Sequence, residues 1–361
     1  MSTKKILIVI DAFSKGGAQV VLLNLIEVWL DLDINVELIL IQNSKNELPL
    51  ENYLNRGLVI HRIDAKNMFS LPKFFNFKKI IIFSHADRIY ANLYWSQIWS
   101  GIVNWLGKRN NLIWVEHNTY LNRTRTQWFL YKVISLRIRN IIAVSNEVSK
   151  FLERKVKVQV RVIFNPVRLL TSHKRRDFKR PKFLFVGRLN SQKNPMLALQ
   201  SFRLALKGSF IPSNSILTIA GEGPMVEEIT NYIKQEGLDE SINVLGFIDI
   251  DKLSELYSTS HTLISSSKYE GFSLARVEAI TSGCAIVTTK TSGVQGVLTE
   301  SNSYKTLIPG VFIVEEDIKE IAYALGESIK EKFWTTSIVL ERMKIIESYE
   351  LSTIAREYLA T

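Results

Sequence analysis

The residues best suited to chemistry fall in KYEGFSLARVEAITSGCAIVTT, Lys268–Thr289. This stretch follows an expected strand and opens a helix that stops at Gly283, a residue that caps helix C-termini well. The first N–H groups of a helix have no intrahelical acceptor, so those of Phe272, Ser273 and Leu274, preceded by Gly271, suit an anion or a hydroxyl oxygen. Glu270 stands just before that mouth. Glu278 lies one turn inside it on the face of Leu274, and helical side chains lean towards the N-terminus. Both carboxylates therefore face one cleft. They would repel a phosphate there, so hydrogen bonding to sugar hydroxyls is the better use. Spacing alone leaves a second arrangement open, with Glu278 paired to a neighbouring base and Glu270 solvated.

A second group is GRLNSQKN, Gly187–Asn194, in a loop between an expected strand and helix. Arg188 offers a planar fork of donors and Lys193 a compact charge. Together they can hold a diphosphate and offset the charge that grows as it departs; two solvated bases remain the alternative. Ser14, Lys15, Gly16 and Gly17 form a loop where backbone can approach a ligand, without the GxGxxG spacing of dinucleotide sites. His117 ends NLIWVEH beside Glu116. The five histidines, His61, His85, His117, His173 and His261, form no HxxxH pair and Cys284 stands alone, so no metal site is expected. No GxSxG elbow marks a serine hydrolase.

These groups need elements to position them. KKILIVI (Lys4–Ile10), NVELILI (Asn35–Ile41), KIIIFS (Lys79–Ser84), NLIWVEH (Asn111–His117) and NIIAVS (Asn140–Ser145) read as buried strands with helices between, the first helix over Ala18–Leu32. An aromatic helix over Ala91–Leu106, with Trp95 and Trp99 and flanked by Arg88, Lys108 and Arg109, reads as core or as an interfacial helix. The pattern restarts at Lys182 with KFLFVGR. It continues through a helix at Pro195–Lys207, SILTIAG, a helix at Met225–Glu236, NVLGFI, a helix at Lys252–Ser258, HTLISSS and CAIVTT, and ends in a mostly helical tail. The fold class is therefore α/β, two doubly wound Rossmann-like domains whose ligand lies in a deep cleft outside the carboxyl ends of both sheets. The domains span 1–167 and 182–345, with a basic linker at 168–181 and a final helix, 346–361, returning to the first domain.

The 361 residues carry a formal charge of +11. It is uneven: residues 1–165 hold 23 Lys and Arg against 12 Asp and Glu, whereas 166–361 hold 23 of each. An anionic partner for the first half follows as one reading and a solvated basic surface as the other. The aromatic and basic stretch Arg123–Arg139 invites nucleic acid but carries no known nucleic-acid-binding motif. Hydrophobic residues make up 46%, enough for two cores, and no run is long enough to span a bilayer. The single cysteine excludes an internal disulfide, and MSTKKILIVIDAF lacks a signal-peptide layout, so a cytoplasmic protein is expected.

Several of these pieces occur together in one family. Gly16-Gly17-Ala18-Gln19, Glu116-His117, Ala143-Val144-Ser145, Asn165-Pro166, Gly187-Arg188-Leu189 with Lys193, Gly221-Glu222-Gly223-Pro224, Leu245-Gly246 and Glu270-Gly271-Phe272 with Glu278 stand in the family's order. In this the chain resembles, over nearly its whole length, the retaining nucleotide-sugar glycosyltransferases of family 4 (glycosyl transferases group 1), which have the GT-B fold. The resemblance implies transfer from a nucleotide-sugar donor, most simply a UDP-sugar, with no separate cofactor and no metal. The acceptor would be a hydroxyl of a lipid-linked glycan in bacterial surface polysaccharide assembly, such as lipopolysaccharide or capsule. Arg188 and Lys193, beside Gly187, would hold the diphosphate and Glu278 the ribose. Gly246, Phe247 and Ile248 would meet the base. Glu270, with Gly271, Phe272, Ser273 and Leu274, would hold the donor sugar, and His117 and Gly17 would approach from the acceptor side. Ser273, Leu274, Ala275 and Arg276 depart from the family's usual residues and leave the donor sugar open. A peripheral place on the inner face of the plasma membrane, without nucleic acid, is the matching location. A sugar-nucleotide epimerase of the same fold and a non-catalytic nucleic-acid-binding protein are the alternatives.

Overall fold

A computed structural model of the chain describes residues 4–14, 16–44, 47–107, 111–118, 123–156, 158–168, 176–291, 293, 298–299, 308–344 and 349–361. Lys15, Lys108, Arg109 and residues 169–175 of the basic run at 168–181, His173 among them, lie outside them. The chain divides into two units, Met1–Pro166 with Leu351–Thr361, and Val167–Glu350.

The first unit starts with β1 (Lys5–Ile10), buried from Ile6 onward, as a β-branched run covered on both faces should be. α1 (Gly17–Asp31) turns Val21, Leu22, Leu25, Ile26 and Trp29 inward at helical spacing. Next come β2 (Asn35–Leu40), α2 (Glu51–Leu54), β3 (Val59–Arg62), α3 (Leu71–Phe83), β4 (Arg88–Asn92) and α4 (Tyr94–Gly107). β5 (Leu112–Glu116), α5 (Arg125–Ser135), β6 (Asn140–Ala143), α6 (Asn146–Glu153) and β7 (Val160–Val162) complete the alternation. All pairs in this sheet are parallel, in the order β3-β2-β1-β4-β5-β6-β7.

One expected strand is a helix. Lys79–Ser84 falls at the end of α3, which starts with Pro72 in its first turn and buries Phe77 and Ile81, one turn apart. The isoleucine run is apolar as a strand would be, but its register with Phe77 serves a helix, and Ile82 and Phe83 stay exposed. The strand comes later, as β4, whose polar ends Arg88 and Asn92 hide it. The aromatic helix α4 starts at Tyr94 instead of Ala91. It is core, with Ile98, Trp99 and Val103 buried.

The second unit runs β8 (Lys182–Val186), α7 (Pro195–Lys207), β9 (Ile216–Ala220), α8 (Val226–Gln235), β10 (Ile242–Gly246), α9 (Ile250–Thr259), β11 (Thr262–Ser265) and α10 (Leu274–Thr281). It ends with β12 (Ala285–Thr289), β13 (Val311–Val314), α11 (Ile318–Ser328) and α12 (Thr336–Lys344). Its parallel sheet has the order β10-β9-β8-β11-β12-β13 around a core that includes Phe183, Phe202, Ile219 and Leu325. The last helix, α13 (Leu351–Leu359), packs on α1 in the first unit. There Trp29 stacks on Tyr90 with ring centroids 5.6 Å apart, Tyr358 meets both edge-on, and the Trp29 indole donates to the Ala355 carbonyl at 3.2 Å.

Both sheets place their first strand inside and reverse direction beside it, between β1 and β4 and between β8 and β11. Ligands of such sheets bind outside the carboxyl ends of the strands at that reversal.

Candidate functional site

In the second unit the reversal lies between the loops that follow β8 and β11, and these carry the charged residues singled out above. Backbone and side-chain hydrogen bonds lock the two loops together. Lys268 N–H donates to the Gln192 carbonyl at 2.8 Å, the Gln192 side chain to the Tyr269 carbonyl at 3.1 Å, and Ser266 Oγ to the Asn194 carbonyl at 2.8 Å. Lys193 Nζ pairs with Glu270 Oε1, which also accepts from Ser267 Oγ at 2.8 Å. Burial pushes the Glu270 carboxyl up, but the charges of Lys193 and Arg276 and these hydrogen bonds outweigh it and hold the group below the usual carboxylate range. Arg188 is exposed, and its side chain makes no hydrogen bond or ion pair among the described residues. The site is thus an ionised, buried Glu270 held by a lysine, with an uncommitted guanidinium on the same loop.

The turn after β9 supports that loop. Leu189 N–H donates to the Glu222 carbonyl at 2.9 Å and Met225 N–H to the Leu189 carbonyl at 3.0 Å. Only glycine permits this approach: a Cβ on Gly221, at φ +151°, would lie 1.9 Å from the Gly187 carbonyl oxygen, and one on Gly223 2.2 Å from that of Leu189. Gly221 N–H donates in turn to the Gly246 carbonyl at 2.8 Å, bringing the end of β10 alongside. Phe247 is exposed there, with Gly246 and Ile248 half-buried.

α10 has Ser273 at its N-cap, whose side chain makes no capping bond, so the first turn is not closed by its own side chain. Gly283, at φ +80°, ends the helix as expected, with Cys284 N–H reaching the Ala279 carbonyl at 2.8 Å. Neither alternative pairing of the two glutamates holds. Glu270 is buried, not solvated, and Glu278 meets no base: its Oε2 accepts from the Tyr257 hydroxyl at 3.0 Å, leaving Oε1 without a hydrogen bond among the described residues. Burial raises the Glu278 carboxyl despite that bond. Arg276 is fully buried, donating to Ser265 Oγ at 3.0 Å and Thr291 Oγ1 at 3.1 Å. Arg176, from the basic run, is tied to the Ser260 and Ser282 carbonyls at 2.6 and 2.7 Å.

The first unit has a polar cluster at its own reversal. His117 follows β5, and its Nε2 lies 2.9 Å from Asn92 Oδ1 at the end of β4. The Asn92 amide nitrogen donates to the Tyr90 carbonyl at 3.2 Å, so its oxygen accepts and the His117 proton sits on Nε2. Nδ1 is then a bare acceptor, buried and unpartnered among the described residues. Burial lowers this histidine to about 4, so it is neutral at pH 7. Asp11, at the end of β1, accepts from Trp95 N–H at 3.1 Å and from the N–H and Oγ of Ser96 at 2.6 Å each, anchoring the start of α4. Burial outweighs those bonds and raises Asp11 to about 6. Gly17 is exposed, with open space where a Cβ would stand.

Sequence reasoning singled out none of Asp11, Asn92 and Tyr257. A lone acid directly after a buried strand and before a Gly-Gly turn was the available signal for Asp11. Asn92 was hidden with β4. The basic stretch Arg123–Arg139 is partly structural: Arg123 lies against both Glu116 oxygens at 3.2 and 3.3 Å and among the rings of Tyr94, Trp128 and Tyr131. Among the described residues, no group of three His, Cys, Asp or Glu is placed to hold a metal ion.

Two Rossmann-like units and a charged site at a strand reversal define a GT-B glycosyltransferase. Residues 15–169 match the family described as Glycosyltransferase Family 4 and residues 171–347 that described as Glycosyl transferases group 1, and the chain belongs to this family. It is similar, at 23% identity over 363 residues covering 98% of this chain and 97% of the relative, to a Campylobacter jejuni alpha-1,4-N-acetyl-D-galactosaminyltransferase. That enzyme is named for a GalNAc-GalNAc-diNAcBac-PP-undecaprenol acceptor. An uncharacterized glycosyltransferase of Methanocaldococcus jannaschii is 26% identical over 175 residues, 48% of this chain and 42% of the relative. The match therefore spans less than half of that relative's length. Anabaena HepE, solved with UDP and glucose, superposes with a TM-score of 0.80 at 16% identity, covering 99% of this chain and 98% of that one. That likeness shows the fold.

Proposed function

We propose that this protein is a retaining glycosyltransferase that moves a hexose or N-acetylhexosamine from a UDP-sugar to a hydroxyl of a lipid-linked glycan, without a metal ion. The second unit takes the donor and the first, completed by α13, takes the acceptor. The observation that carries this reading is the uncommitted Arg188 beside the Lys193–Glu270 pair at the strand reversal. Arg188 presents parallel N–H donors to diphosphate oxygens. An ammonium has three donors, so Lys193 can keep Glu270 and still reach a phosphate. Glu270, already ionised, accepts from donor-sugar hydroxyls, and the open Oε1 of Glu278 accepts from the ribose. Backbone at Gly246–Ile248 meets the base. Neutral His117 offers Nδ1 to a hydroxyl.

When the bond between the anomeric carbon and the diphosphate breaks, negative charge grows on the leaving oxygens, and the two cations of one loop stabilise it. The acceptor hydroxyl attacks from the face the diphosphate leaves, passing its proton to the departing diphosphate oxygen, so that UDP is released and the anomeric configuration is preserved. The basic first half and a relative named for an undecaprenol-diphosphate acceptor support work at the cytoplasmic face of a bacterial plasma membrane, in surface polysaccharide assembly.

Thermal shift against UDP, GDP and ADP sugars identifies the donor, and transfer to undecaprenyl-diphosphate glycans tests the reaction. Arg188→Ala and Lys193→Ala each lower kcat roughly 10²- to 10³-fold, as loss of one charge-stabilising donor does. Arg188→Ala keeps the melting temperature, whereas Lys193→Ala lowers it, because the buried Glu270 is left without its cation. Normal turnover in either variant removes the diphosphate role. Turnover that stops in EDTA and returns with magnesium removes metal independence, and sugar release without acceptor favours the epimerase.

A further inference from the structure

Among the described residues of the first unit, exposed apolar side chains gather on α3 and the turn before it; others stand at the end of α4 (Leu106) and on and after α5 (Phe129, Leu136). Leu71, Phe75 and Ile82 recur at helical spacing on the outer side of α3 with Phe83 adjoining, opposite the buried Phe77 and Ile81, so this helix is apolar on both faces. Phe75 is 59% exposed, Phe83 65%, and Phe69, in the turn before the helix, 78%. Phe69 rests edge-on against Trp95 with ring centroids 5.7 Å apart. Such a grouping of bare rings on a soluble surface marks a contact site.

The charge around these rings names the occupant. Ala65–Ala86 contains Lys66, Lys73, Lys78 and Lys79 and no Asp or Glu. None of the four lysines makes an ion pair among the described residues. Lys78 and Lys79 lie on the same helix as the exposed rings, on either side of the Leu71–Phe75–Ile82 stripe. Four uncommitted cations around exposed rings match a surface whose negative charges are spread over a plane and whose interior is apolar. Phenyl rings enter the boundary between headgroups and acyl chains, while lysine stems lie along it with their ammonium groups among the phosphates.

We propose that α3 and its preceding turn, through Phe69, Leu71, Phe75, Phe83, Lys78 and Lys79, form the docking surface of the first unit for an anionic phospholipid bilayer, with the helix lying in the membrane plane. This deepens the reading of a lipid-linked acceptor and rests on it. Vesicle binding is measured without transfer, so either can fail alone.

The test is co-sedimentation of the full chain with vesicles of phosphatidylglycerol and phosphatidylethanolamine, and with neutral phosphatidylcholine vesicles, at low and high salt. The protein pellets with anionic vesicles and is released by salt. Lys78→Gln/Lys79→Gln weakens binding about twenty-five-fold, since each lysine near such a surface counts for about fivefold. Phe69→Ser/Phe75→Ser weakens it at least tenfold, with melting temperature kept because both rings are exposed. A second readout needs no loss of apolar surface: the Phe75→Trp variant gains a blue-shifted emission, absent from the parent, on adding anionic vesicles. Equal binding by the parent and both double variants, or no such shift in the Phe75→Trp variant, overturns the proposal. So does a concentration-dependent dimer that the phenylalanine variant abolishes, which assigns the surface to a second copy of the chain.

Discussion

His117 and Asp11 are shifted by the same cause, burial, with opposite consequences for stability. His117 titrates near 4 when folded against 6.5 when exposed, and His261, buried with Nδ1 accepting from Lys182 N–H, also falls to about 4. Between those values the unfolded chain binds the extra proton, so stability is lost as pH falls from about 6.5 to 4. Asp11, raised from 3.8 to about 6, has the reverse sign: the folded state holds the proton, and stability falls as pH rises through that window. Glu278, also raised by burial, acts with Asp11, but the two histidines gain protons in the unfolded chain across most of the range, so melting temperature drops between pH 7 and pH 5. His261→Gln makes that drop shallower and Asp11→Asn makes it steeper, both measured by calorimetry across pH. Parallel curves for parent and variants would contradict the assignment. Of these residues, the sequence made only His117 conspicuous. Arg188, Lys193 and Glu270 were legible because charges in a short loop after an apolar strand have little else to do. Their partners were not, since Tyr257 and Glu278 are 21 residues apart and only the fold joins them.

The loops at the carboxyl ends of β8, β9 and β10 act as one block because glycine lets their backbones touch. Gly221→Ala puts a methyl group into the Gly187 carbonyl at a φ that side chains avoid. It should cost about 2–4 kcal/mol, or roughly 5–15 °C in the melting temperature of a domain this size. It should also abolish any thermal shift by UDP; a variant melting with the parent and still stabilised by UDP counts against the block. Elements with local signals were readable in advance. α7 starts at Pro195 and ends before Gly208, and β1, β8 and β12 are continuous apolar runs. β3 escaped notice because its four residues are at most half-buried. The end of α3 was misread because three isoleucines favour a strand until Phe77 and Ile81 are seen sharing a face.

At the scale of the molecule, the chain builds two sheets of one strand order, and its last helix belongs to the unit it began with. Ending the chain after Glu350 removes the buried Ile354, Ala355 and Tyr358 and leaves the Trp29 indole without its acceptor. Losing two large buried side chains costs at least about 5 kcal/mol, or roughly 10 °C or more in the transition of the first unit. On the proposed division of labour, stabilisation of the second unit by UDP survives. Loss of that stabilisation, or an unchanged first transition, would show that the units are not organised this way.

The return of α13 also sets an order of events during synthesis. A ribosome delivers Trp29 and Tyr90 early, yet their cover is translated only after all of Val167–Glu350. At ordinary elongation speeds that interval is roughly ten to forty seconds. The second unit can finish folding within it, while the first waits with two aromatic rings uncovered. A nascent chain lacking α13 and held to the ribosome by a flexible linker after Glu350 should therefore carry a protease-resistant second unit and a susceptible first, the reverse of the order in which they were made.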